Sequence, residues 1–158
     1  MRTESHPIGF RKYVLLSMFG VRLRLHVWRD GGVDSRHNHR WWFVSVPLIG
    51  RFVETRYQEA AGNDMLKIAV LDEAGRRDSG RVYRKSGLSS LDSEKTRIRY
   101  PLIPYYCPID AIHSLVPMSG GLHASLVLIG RLQKDSSDIW RHADKLDVPL
   151  DSADDHQP

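Results

Sequence analysis

Residues 31–50 read GGVDSRHNHRWWFVSVPLIG. Two histidines two apart, His37 and His39, stand in the middle of this stretch. In an extended strand such residues point to the same face, so two imidazoles would stand side by side, ready to grip one metal ion. Trp41, Phe43 and Ser45 continue that face, and Pro47-Leu48-Ile49-Gly50 turns the chain. One strand cannot close a metal site, so a further ligand must come from elsewhere in the sequence.

The chain of 158 residues is long enough for one domain that buries about two-thirds of its unfolded surface. We expect a single domain over residues 1–145, with a barrel core over about 12–133 and a disordered polar tail over 146–158. No apolar run reaches the length of a membrane span. The N-terminus, MRTESHPIGFRKY, has no apolar signal core, and the expectation is a cytoplasmic protein. The single cysteine, Cys107, excludes an internal disulfide and a thiolate metal cage. A metal here would sit among histidines, carboxylates and water. The net charge of +4 is spread along the chain rather than massed. That balance suits a small anionic substrate; with no basic cluster and no base-reading motif, nucleic acid is not an expected partner.

Outside the central stretch, residues 1–9 read as a loose arm and 12–18 as a short strand broken by Gly20. Residues 21–29, VRLRLHVWR, alternate strictly. Val21, Leu23, Leu25 and Val27 share one face; Arg22, Arg24, His26 and Trp28 share the other. That second face is either solvated or the wall of a polar pocket containing Arg24 and His26. Residues 51–57, RFVETRY, read as the hairpin partner of the His-x-His strand. A loop over 58–64, a strand over 65–71 and a turn over 72–75 follow. Residues 76–97 are polar and poorly patterned and read as a surface excursion, a candidate lid. Pro101 and Pro104 suit an edge or a bend. Residues 108–117 turn into a strand, 119–121 form a hairpin turn, and 122–132 form the last good strand. A short helical turn is expected over 138–145. Many short strands with turn signals argue for an all-β sandwich or barrel with little helix.

The spacing from Gly31 through His37-x-His39 to Gly50 resembles the first motif of the cupin superfamily: Gly, five residues, His-x-His, three or four residues, Glu, six residues, Gly. Phe43 stands at the Glu position. The second cupin motif is matched in part, by Pro108 and His113, while Leu102, Asp110 and Pro117 stand where its two glycines and its Asn would be. A group of small bacterial and phage cupins is similar in reading His-x-His-x-Trp-x-Phe, then Gly, then a Glu on the next strand; Trp41, Phe43, Gly50 and Glu54 fit that form. The resemblance implies a double-stranded β-helix, the cupin or jelly-roll barrel, with His37, His39 and His113 holding one divalent metal. Imidazole ligands suit iron, zinc, nickel, copper and manganese alike. Iron(II) is the first expectation, because a three-histidine set resembles the thiol dioxygenases within the cupins, which also lack the motif Glu. Many cupins pair through sheet faces or edges, so the resemblance allows a homodimer with an outward Trp42 at its interface.

Glu54 is expected to point inward, as a fourth ligand or a general acid/base; the alternative is a surface glutamate paired with Arg51 or Arg56. Tyr57 is the other candidate proton carrier. Arg24, His26, Trp41, Phe43 and Tyr106 are the candidate substrate-binding residues, Trp41 and Phe43 as pocket wall. Cys107 reads as a small buried hydrophobe. The reading is a small metalloenzyme, a non-haem iron(II) dioxygenase acting on a small polar or anionic metabolite. Its alternatives are Lewis-acid chemistry at the same metal (isomerisation, cyclisation, dehydration or decarboxylation) and a non-catalytic small-molecule-binding module.

Overall fold

The structure is a computed structural model, and it describes residues 2–6, 10–29, 35–72 and 81–143. Eleven strands are formed: β1 (Arg2–His6), β2 (Phe10–Met18), β3 (Val21–Arg29), β4 (Arg36–His37), β5 (Phe43–Ile49), β6 (Phe52–Asp72), β7 (Arg81–Arg99), β8 (Tyr105–Cys107), β9 (Ile112–Pro117), β10 (Leu122–Ile129) and β11 (Ser136–His142). No α-helix occurs among the described residues. One antiparallel sheet has the order β1-β2-β3-β10-β5-β8, the other β11-β4-β9-β6-β7. If β3 to β10 are counted as eight barrel strands, the sheets run first-eighth-third-sixth and second-seventh-fourth-fifth. This is the strand order of a jelly roll, the double-stranded β-helix expected from the sequence.

In that order consecutive strands mostly alternate between sheets, which corrects two expected hairpins. Residues 51–57 do not pair with the strand before them: β5 pairs with β10 and β8, whereas β6 pairs with β7, β9 and β11. The turn at Gly50, with φ +77°, is therefore a crossing between sheets. The segment 119–121 is another such crossing, from β9 to β10. The His-x-His stretch itself is no continuous strand. His37 ends β4 in one sheet, residues 38–42 cross over, and Phe43 opens β5 in the other.

Three further expectations change. The loop over 58–64 lies within β6, where the pairing with β7 skips from Ala60 to Met65, so residues 61–64 bulge without breaking the strand. The polar excursion proves from residue 81 onward to be β7, paired to β6 along its length, and not a lid. It is an edge strand whose residues are mostly exposed, so nothing demanded an apolar alternation. The helical turn over 138–145 is replaced through His142 by β11, anchored by buried Trp140, whose Nε1–H donates to Ser89 Oγ at 3.1 Å. Residues 2–6, expected as a loose arm, pair with β2. The loop over 30–34 with Gly31, most of the turn and excursion over 73–80, and the tail over 146–158 lie outside the described residues.

The interior is divided by chemistry. Phe43, Tyr105, Cys107, Val127 and Ile129 form one apolar cluster. Phe10, Trp28 and Phe52 form a second, and Met65, Ile112 and Trp140 a third. Polar side chains are buried beside them: Lys12, Arg24, Ser45, Glu54, His113, His123 and Ser125. On β3 the face of Arg24 and Trp28 points inward, each 5% exposed, while Leu23, Leu25 and Val27 are half-buried on the outside. The outer face of that sheet is apolar, with Leu16, Leu23, Leu128, Val44 and Tyr106 in one register row.

Candidate metal centre

His37 and His113 are direct cross-strand partners on β4 and β9, so side chains of the same face meet. His39 comes from the crossing segment. Its backbone N–H donates to Ile109 O at 3.3 Å. The segment is fixed by Asn38, a buried residue the sequence reading passed over: its Nδ2 donates to Asp138 Oδ2 at 3.1 Å and its Oδ1 accepts from Asp138 N at 2.7 Å. The three imidazoles converge, with ring centroids 4.7 Å (His37–His39), 5.0 Å (His37–His113) and 5.1 Å (His39–His113) apart.

The outer nitrogens of two rings are already engaged. His37 Nδ1–H donates to Ser35 O at 2.8 Å, and His113 Nδ1 faces Glu54 Oε1 at 3.2 Å. Each ring is then left with Nε2 as its lone-pair nitrogen, the tautomer a metal requires. His39 Nε2 and His113 Nε2 lie 2.9 Å apart. A separation of 2.9 Å is that of an N–H···N hydrogen bond between the two rings, and the donor atoms of all three histidines lie within 4.8 Å of one another, so these residues would hold one divalent ion. Burial, with the charges of His113 and Lys12, lowers His37 to about 3. Burial, then the charges of His37, His113, His26 and Lys12, holds His39 well below its ordinary 6.5. Both rings are neutral at physiological pH, as ligands must be.

Glu54 points inward, 1% exposed, but it stands behind His113 rather than beside the free nitrogens. Arg56 Nε donates to its Oε1 at 2.9 Å, and Arg99 donates to its Oε2 through Nε at 2.6 Å and through a guanidinium nitrogen. Burial alone would raise this carboxyl; the hydrogen bonds from His113 and Arg99 and the charge of Arg56 outweigh it and hold it at about 2. With four N–H groups on two oxygens, it has little capacity left to ligate a metal or carry a proton. Cys107 also lies close to Glu54 and His113. Burial pushes its thiol up to about 12, so it stays protonated and acts as the small hydrophobe expected.

The other candidates separate. Phe43 lies 4.8 Å from His39 and 5.9 Å from His113, ring to ring, as wall of the site. Arg24 stacks its guanidinium over Trp41 at 5.9 Å. His26 faces the interior between Phe10 and Trp28. Tyr57 donates to or accepts from Ser114 Oγ at 3.1 Å and packs with the Met65 cluster. Tyr106 is a correction: it is 56% exposed on the outer face, and Tyr105, 7% exposed, takes the inward place. β8 pairs Phe43 with Cys107 and Ser45 with Tyr105, so the inward parity belongs to 105 and 107. Trp42 is half-buried and lies over Gly130, where any Cβ would meet its indole at 2.3 Å. Lys12 was missed by the sequence reading. It is 7% exposed inside the barrel, and only the inverted burial of β2 and β3 reveals it. A surface cleft of about 510 Å³, lined by Gly50, Arg51, Tyr100, Pro101, Met118 and Ser119, includes none of the three histidines.

No protein-family model and no curated protein matches the chain. Among solved structures it is similar to a cupin superfamily protein from Desulfitobacterium hafniense (13% identity, 81% of this chain and 83% of that one, TM-score 0.45). It is also similar to an oxalate oxidase in complex with glycolate (16% identity, 84% of this chain, TM-score 0.49), of which it spans 56%. A third is a hydroquinone 1,2-dioxygenase from a Sphingomonas species with 4-hydroxybenzoate bound (12% identity, 77% of this chain and 66% of that one, TM-score 0.46). No helix among the described residues is long and apolar enough to cross a membrane. With β3 to β10 in jelly-roll order, two histidines enter from β4 and its crossing and the third from β9, so the fold of this chain is the double-stranded jelly-roll barrel expected from the sequence.

Proposed function

We propose that this chain is a metal-dependent oxygenase in which His37, His39 and His113 hold one divalent metal, iron(II) first, and a small anionic metabolite is the substrate. The observation that carries the reading is the convergence of His37, His39 and His113, whose donor nitrogens lie within 4.8 Å of one another, with His37 and His113 tied back through Nδ1. Three imidazole ligands would leave a bound metal its full charge and open positions, which supports binding of an anionic chelator and of dioxygen.

The residues divide the remaining work. Glu54 orients His113 and keeps its Nδ1 protonated. Phe43 and Trp41 exclude water from one side of the site, which strengthens electrostatic attraction there. Arg24 and His26 face the substrate from the opposite sheet. Tyr57, bonded to Ser114, is left out of the chemistry.

The test is metal content and oxygen uptake. Protein purified without chelator or affinity tag should hold near one equivalent of iron, lost in His37→Ala, His39→Ala and His113→Ala. Candidate carboxylate substrates should then drive oxygen consumption by the iron-loaded protein. Turnover without oxygen uptake would move the reading to Lewis-acid chemistry at the same donors. No metal in the wild type, and none taken up on reconstitution, would overturn it.

A further inference from the structure

A second polar group lies on the interior face of the six-stranded sheet. The registers of β2, β3, β10 and β5 align Lys12, His26, Ser125 and Pro47 in one row across four strands. Lys12 is 7% and Ser125 2% exposed, and Arg24 lies one inward position further along β3 at 5%. Lys12 and Arg24 have contacts of their own. Beside them two polar atoms lack a hydrogen-bond partner: Ser125 Oγ and His26 Nε2 are both buried without one, although the His26 ring packs on Phe10 and Trp28. Protein interiors rarely leave such groups unmade, because an unpaired buried donor loses its hydration without replacement. Here two sit side by side, flanked by two buried cations.

The row is also close to the metal donors. Arg24 stacks on Trp41, two residues past His39. The Lys12 charge acts on His26, His37 and His39 alike.

We propose that Lys12, His26 and Ser125 form an oxyanion pocket that takes one carboxylate of a substrate whose other end lies at the three histidines. A carboxylate offers two acceptor oxygens, which matches the serine hydroxyl and the imidazole N–H, with the lysine ammonium balancing the charge. The substrate class is then a small dicarboxylate or a carboxylate bearing a second metal-binding group. The substrate assignment rests on the three-histidine reading, but the pocket has its own residues and its own readout.

The experiment is calorimetric titration of the full chain with succinate, with zinc bound and metal-free, for wild type, Ser125→Ala and Lys12→Met. Zinc binding itself is measured in each. Ser125→Ala should weaken succinate binding about tenfold with zinc affinity unchanged, and Lys12→Met should weaken succinate binding by more. Should Lys12→Met fail to fold, Ser125→Ala decides alone. Equal succinate affinity in wild type and Ser125→Ala overturns the pocket, as does a wild type that binds zinc but no succinate. Succinate binding that depends on Ser125 in a protein that takes no zinc keeps the pocket and overturns the metal reading instead.

Discussion

Glu54 Oε1 lies 3.2 Å from Nδ1 of His113, and this contact decides which nitrogen His113 offers to the site. A carboxylate behind a ligating imidazole fixes its tautomer, holds its ring and raises its basicity. Glu54→Gln should therefore lower zinc affinity by about 10–100-fold in a chelator-competition titration. Arg56 and Arg99 would keep their charges and lose their counter-charge, so the variant should also melt earlier. Unchanged zinc affinity in a folded Glu54→Gln protein would remove Glu54 from the site.

The buried ionisable groups set an acid limit on the metal-free protein. His26, His37 and His39 are held below their ordinary 6.5. The unfolded chain thus takes up protons first as pH falls below about 6.5, and stability drops there. Glu54 is held at about 2 against an ordinary 4.5. Its contribution is present above about 4.5 and disappears as pH falls towards 2, a loss of about 3 kcal/mol. Urea midpoints against pH should show two falling stages, and Glu54→Gln should remove only the lower one. A midpoint that stays level from pH 7 to 4 would contradict the buried neutral histidines.

The strands on which the site depends were legible where one face faces inward and the other outward. β3 was read to the residue, and the inward parity of Glu54 agrees with its sharing a face with Phe52. The sign of burial was not legible. On β3 the barrel interior takes the face of Arg24, His26 and Trp28, and the half-buried outside takes the apolar one. An alternation says that two faces differ, not which is inside. β7 was missed for the opposite reason: as an exposed edge it has no buried face to pattern. The two false hairpins came from reading each Gly turn as local pairing, where a jelly roll uses such turns to change sheets.

Gly50 illustrates a turn residue whose role combines backbone and packing. Its φ of +77° disfavours any side chain, and an added Cβ would lie 2.1 Å from His123 Cδ2. Gly50→Ala should cost at least about 2 kcal/mol in chemical denaturation. Gly120 has open space around its Cβ position, and Gly120→Ala should change stability by less than about 0.5 kcal/mol. Equal effects at the two positions would mean that the crossing after β5 is not built as described.

Asn38 links the crossing segment to β11 with a reciprocal pair of bonds to Asp138, between the two histidines of the motif. Asn38→Ala would remove both and leave the Asp138 N–H without its acceptor, at a cost of about 1–3 kcal/mol. Because His37 and His39 flank it, the same change should loosen their placement and weaken zinc binding, whereas a purely structural bond would lower only the melting temperature. Lys134→Ala provides the comparison, since it breaks a surface ion pair with Asp110, a residue whose side chain is 79% exposed, and should leave both readings within error. If Asn38→Ala loses stability but binds zinc as tightly as the wild type, the geometry of the histidine pair is set by the β4–β9 pairing and by the Nδ1 contacts of His37 and His113 alone.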